Sequence, residues 1–120
     1  MILADVPLLQ KLAKSEREKL QDHLQYAHYA NGEHLFKQGD EGDRFFMIIR
    51  GEVQIYDRPE GATEDRVLVT LGEGHCFGEM ALIYSEKRNA SVRVASPLGV
   101  ECAFLMKEDF QGALNDDKFQ

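Results

Sequence analysis

The chain has 120 residues, 43% of them apolar, with seven Phe, four Tyr and a formal net charge of −7, enough for one domain with a core of its own. That charge, with no segment dense in Lys and Arg, excludes a general nucleic-acid binder, and no run of 18 apolar residues exists to cross a membrane as a helix.

Residues 1–25 read as a helical lead-in. The opening MILADVPLLQK carries an early acid and no basic stretch, so it is not a secretory signal. VPLLQKL (6–12) reads as a short helical piece, with Pro7 tolerated in its first turn. Ser15 and Glu18 form the S-x-x-E pattern of a capping box, and Leu20, Leu24 and Ala27 follow at helical spacing.

From Tyr26 the rhythm changes. Glycines cut the chain into short segments, EHLFKQ, RFFMIIR, EVQIYDR and RVLVTL, rich in β-branched and aromatic residues. DRPEGATED (57–65) reads as a polar hairpin tip. ASVRVA and GVECAFLM add two strands after residue 89. The glycines at 39, 42, 51, 72 and 74 read as turn residues needing φ > 0. KEDFQGALNDDKFQ (107–120) reads as a closing helix, weakened by about 1 kcal/mol at Gly112. It reaches the end without a cap signal, which suggests a longer parent protein. The expected architecture is mainly β with flanking helices: an antiparallel barrel or sandwich over 26–106 with one helical insertion.

Cys76 and Cys102 lie in apolar surroundings without C-x-x-C spacing and read as reduced core thiols of an intracellular protein. The four histidines are scattered, with no H-E-x-x-H or Cys/His cluster, so no metal is expected. GEG (72–74) lacks the rest of a dinucleotide motif. No G-x-S-x-G elbow accompanies Ser85. The chain is not expected to be an enzyme.

The chemistry gathers in FGEMALIYSEKRNASV (77–92). EMALIY is helix-forming in a chain of strands, and Gly78 precedes it. A short helix starting near Glu79 points unpaired N–H groups outward, and these favour an anion. Arg88, returning across the loop, can donate a bidentate pair to the same anion. Glu79 repels an anion but can accept from a hydroxyl beside it. The combination asks for a phosphate with an adjacent hydroxyl, set against a β-wall that takes a flat apolar part, which describes a nucleotide. The plain alternative is an ion pair between Glu79 and Arg88, of little worth if solvated; it leaves FGE and ALIY unexplained. Leu82 and Tyr84 also read as ordinary core side chains.

FGEMAL followed by R-N-A-S-V resembles the phosphate-binding cassette of cyclic-nucleotide-binding domains. GEHLFKQGDEGDRFFMIIRGEVQIY looks like that family's second to fourth strands, with its Q-G-D-x-G-D turn at 38–43. VPLLQKLAKSEREKL resembles the helical lead-in of regulatory subunits of cAMP-dependent protein kinase. The resemblance covers nearly the whole chain and implies a single domain over 1–120: lead-in 1–25, β-barrel or jelly roll 26–106 with the cassette at 77–92, and the start of a C-terminal helix at 107–120.

It also implies roles. Glu79 accepts from the ribose 2′-hydroxyl, helped by the backbone of Gly78. Arg88 takes the exocyclic oxygens of the cyclic phosphate. Within the cassette, beside Met80, the N–H groups of Ala81 and of Asn89 or Ala90 complete the cradle. Val69, Ile55 and Val92 line the wall for the base. Leu82 and Tyr84 match positions that touch a catalytic subunit. Two departures stand out. Ile49 occupies the third-strand position where an acid often partners the cassette arginine. Asn89 stands where cAMP readers usually have Ala and cGMP readers often have Thr or Ser; its amide oxygen can accept from the guanine 2-amino group. Val69 lacks the Arg that marks cGMP in one branch. The resemblance therefore implies a cytoplasmic, non-catalytic sensor for cAMP, with cGMP second, acting on a protein kinase catalytic partner. Alternatives are a cGMP-dependent kinase domain, the sensor of a channel or transcription factor, and a ligand-free scaffold.

Overall fold

The structure is a computed structural model describing residues 10, 12–79 and 87–114. In chain order it contains α1 (Lys14–Gln21), β1 (Gln25–Tyr29), β2 (His34–Phe36), β3 (Arg44–Arg50), β4 (Val53–Asp57), β5 (Arg66–Leu71), β6 (Cys76–Phe77), β7 (Ser91–Val94), β8 (Val100–Met106) and α2 (Lys107–Leu114).

The strands pair antiparallel in a nested series: β1 with β8, β2 with β7, β3 with β6, and β4 with β5. Pairing of β3 with β8 and of β4 with β7 joins these hairpins into two four-stranded sheets, β1-β8-β3-β6 and β2-β7-β4-β5. This is a jelly roll. Of the two forms expected, it is the two-sheet one.

Side chains alternate faces along a strand, and β3 and β8 use both faces. Phe45, Met47, Ala103 and Leu105 pack outward against Leu12, Leu20 and Phe110, so the helices cover that face. Phe46, Ile48, Cys102 and Phe104 pack inward with Val53, Val92 and Val94 between the sheets. Two covered faces explain why RFFMIIR holds four consecutive buried residues. Cys76 packs with the helix-side core and Cys102 with the inter-sheet core, and both thiols are free. Burial pushes the Cys102 thiol up to about 11.

Several expectations need correction. Ser15 is not the cap of α1. It lies inside the helix, Ala13 is the N-cap, and the Glu16 carboxylate accepts from the Ala13 N–H at 3.0 Å. The helix stops at Gln21, so Leu24 and Ala27 do not share its face; Ala27 sits in β1 opposite Cys102. Pairing along β8, which would otherwise present an open edge, overrides the helical spacing of Leu20, Leu24 and Ala27. β6 is a further short strand that the glycine punctuation hid. Gly39, Gly51 and Gly74 take positive φ and Gly72 does not. The 57–65 tip joins β4 to β5, tied by a bidentate Arg66–Asp57 pair and by Arg58–Asp65. The short helices expected at 6–12 and 79–84 lie outside the described residues, apart from Gln10, Leu12 and Glu79. Residues 115–120 of the closing helix also lie outside them.

Candidate functional site

The Q-G-D turn after β2 positions the backbone of Arg88. Asp40 closes the turn by accepting the Lys37 N–H at 2.9 Å. The Gly39 N–H then donates to the Arg88 carbonyl at 2.9 Å, and the Arg88 N–H to the Asp40 carbonyl at 2.8 Å. The Gln38 N–H donates to Ser91 Oγ at 2.8 Å. Residues 38–40 and 88–91 are thus stitched together although 47 residues lie between them.

The Arg88 side chain turns inward and is 9% exposed. Its guanidinium lies 4.0 Å above the Phe36 ring centroid. Nη2 donates to the Arg44 carbonyl and Nη1 makes a long 3.5 Å contact with the Gly78 carbonyl. Nε is buried without a hydrogen-bond partner. No carboxylate forms an ion pair with Arg88 among the described residues, so the Glu79–Arg88 pair weighed as the plain alternative is not formed. Burial is the main influence lowering the arginine's pKa, and Asp43 and Asp40 act against it. The nearby acids therefore come from the β2–β3 turn. Ile49, the departure in β3, packs against the helix-side core.

Gly78 has φ +81°, and a Cβ there would sit 2.8 Å from Arg88 Nη1. Glycine before Glu79 is therefore what lets the guanidinium pass. Glu79 is half-buried. Its charge, second to burial, raises the Cys76 thiol pKa.

Val69, Ile55 and Val92 form one cross-strand row, because Ile55 pairs with both valines. Phe36 pairs with Val92 and extends the row across all four strands. Directly paired residues share a face. Burial peaks inside the row: Val92 is fully buried, Phe36 and Ile55 on either side of it are half-buried, and Val69 is 44% exposed. At strand spacing, three steps from Phe36 to Val69 cover about 14 Å. The row thus begins under the buried cation and ends at the exposed edge of β5.

A cavity of about 360 Å³ opens beside Arg88, lined by Leu35, Phe36, Phe46, Arg44, Arg88 and the acids Asp40, Glu41 and Asp43. A larger one, about 420 Å³, lies at the other end of the strands around His28, Gly51 and Leu98, and holds none of the expected site residues. Asn89 is exposed and Ala90 half-buried. Met80, Ala81, Leu82 and Tyr84 lie outside the described residues. Sequence reading missed Phe36 and the Arg44 carbonyl; a signal for Phe36 existed, since its strand directly precedes the Q-G-D turn. No group of His, Cys, Asp and Glu among the described residues is arranged to hold a metal, and no described helix is long and apolar enough to cross a membrane.

Comparison with known proteins adds to this geometry. The family model for the cyclic nucleotide-binding domain matches residues 26–117. The chain is 38% identical over 115 residues to cGMP-dependent protein kinase, isozyme 1, of Drosophila melanogaster, covering 95% of this chain and 15% of that kinase. It is 39% identical over 97 residues to the cAMP-dependent protein kinase regulatory subunit of Schizosaccharomyces pombe, covering 81% of this chain and 22% of that subunit. Among solved structures it is similar to the regulatory domain of Toxoplasma gondii PKA with cAMP, at TM-score 0.81 and 26% identity, over 94% of this chain and 42% of that one. Since the family model spans both sheets, the Q-G-D turn and Arg88, the chain belongs to the cyclic nucleotide-binding domain family.

Proposed function

We propose that this chain is a non-catalytic regulatory domain that binds a cyclic nucleotide, cAMP ahead of cGMP, and passes the binding event to a protein kinase catalytic partner. The observation that carries the reading is the state of Arg88. It is a buried guanidinium that, among the described residues, has two neutral carbonyl partners, an unpartnered Nε and no ion-paired carboxylate. A buried cation so weakly satisfied is suited to an anion from outside the chain.

The row from Phe36 to Val69 gives the ligand a direction. The cyclic phosphate goes to Arg88 and the base lies toward Val69 and Ile55. Glu79, with the backbone of Gly78, takes the ribose 2′-hydroxyl. The N–H groups of Ala81 and of Asn89 or Ala90 complete the phosphate cradle, with Met80 beside them. Leu82 and Tyr84 are the residues assigned to the kinase partner. Removing the anion contact costs about 1.5–3 kcal/mol for a charged hydrogen bond. Arg88→Ala is therefore expected to weaken cAMP binding at least tenfold in calorimetric titration while the domain still unfolds cooperatively. Unchanged affinity would overturn the assignment.

The cGMP reading has an observation of its own, the 38% identity to a cGMP-dependent kinase. Paired titrations with cAMP and cGMP decide between them. If Asn89 reads the guanine 2-amino group, Asn89→Ala lowers cGMP affinity relative to cAMP; an unchanged ratio removes Asn89 from base selection.

A further inference from the structure

We propose that Phe36 is a positioning residue: its ring face holds the Arg88 guanidinium so that the N–H edge stays open to an incoming anion. The inference rests on the cyclic-nucleotide reading above and extends it to a residue outside the cassette.

A guanidinium offers two kinds of surface. Its flat face carries delocalised charge and no donor, while its edge carries five N–H groups. A carboxylate would offset the buried charge at the edge, and would then have to leave before a phosphate could bind. Phe36 offsets it at the face, through the negative potential above the ring. The separation of 4.0 Å is well inside the range of such contacts. The ring is itself fixed by Phe46 and Phe77, with centroids 5.9 and 6.0 Å away. Among the described residues the edge meets only neutral carbonyl oxygens, which charged acceptors outcompete. Without the ring, the guanidinium gains by turning out to water. The fraction of chains ready for ligand then falls, and the apparent dissociation constant rises in proportion.

The test separates ring electrostatics from packing. Phe36 is replaced in the full 120-residue chain by 4-fluoro-, 3,5-difluoro- and 3,4,5-trifluorophenylalanine, which keep the ring's shape while draining its face of negative potential. Each protein is titrated with cAMP and cGMP, and its melting temperature is measured. Stepwise weakening, reaching about three- to tenfold for the trifluoro ring with little change in melting temperature, is the expected result. Phe36→Leu should bind more weakly than Phe36→Tyr, which retains a ring face. If the wild-type chain binds and the trifluoro protein binds equally well, Phe36 acts by packing alone; the inference falls and the functional reading stands. If the wild-type chain binds neither nucleotide, the functional reading falls and takes this inference with it.

Discussion

Gly78 shows how one missing side chain sets a site. Its φ of +81° lies where an L-residue with a Cβ is strained, and the space a Cβ would fill belongs to the Arg88 guanidinium. Alanine there would meet both costs. The backbone strain is about 1–2 kcal/mol, and the displaced arginine would lose its Gly78 and Arg44 carbonyls. Gly78→Ala is therefore expected to lower stability by about that amount in urea denaturation and to weaken cyclic-nucleotide affinity in titration. A variant that loses stability but binds like wild type would show that the guanidinium finds its place without the glycine. Gly78 and Arg88, which the structure brings together, stand within eleven residues of one another in the motif. Phe36 was legible as their neighbour only indirectly, through the Q-G-D turn that its strand precedes. It lies 52 positions before Arg88, and the pairing of β2 with β7 and the hydrogen bonds of the Q-G-D turn bring the two together.

At the scale of elements, the row across β2, β7, β4 and β5 sets a buried residue and an exposed one on the same face. Val92 is fully buried and Val69 is 44% exposed, yet both face the same way. Val92→Ala removes two buried methyl groups and should cost about 2 kcal/mol of stability. Val69→Ala should change stability by no more than about 0.5 kcal/mol, yet weaken nucleotide binding if the base rests on β5. Urea melts of both variants, followed by cAMP titrations, check this; a Val69→Ala protein with wild-type affinity would remove β5 from the wall. The strands themselves were largely legible. RFFMIIR and RVLVTL have the bounds their composition suggests, since β-branched and aromatic runs between turn residues have few other options. The end of α1 was less so, because Ala27 fits helical spacing as well as strand pairing, and the contact of β1 with β8 decides.

At the scale of the whole molecule, the nested pairing of β1 with β8 through β4 with β5 is a long-range property that local patterning does not encode. Composition led as far as a barrel or sandwich, and the jelly roll was reached through the cassette resemblance. The same closure brings Asp40, Glu41 and Asp43 into the lining of the cavity that also holds Arg88 and Arg44, on a chain of net charge −7. A cyclic nucleotide is itself an anion, so under the proposed function the molecule would repel at a distance the ligand that Arg88 is proposed to bind at contact. Dissolved ions screen the first effect within about 10 Å at 0.1 M, while a buried contact is screened much less. Added salt is therefore expected to speed association and leave dissociation nearly constant, the reverse of an anion site built on an exposed basic patch. Stopped-flow binding of cAMP between low and moderate ionic strength measures both rates. Association that slows with salt would mean that the two arginines, rather than the three acids, set the field at the entrance.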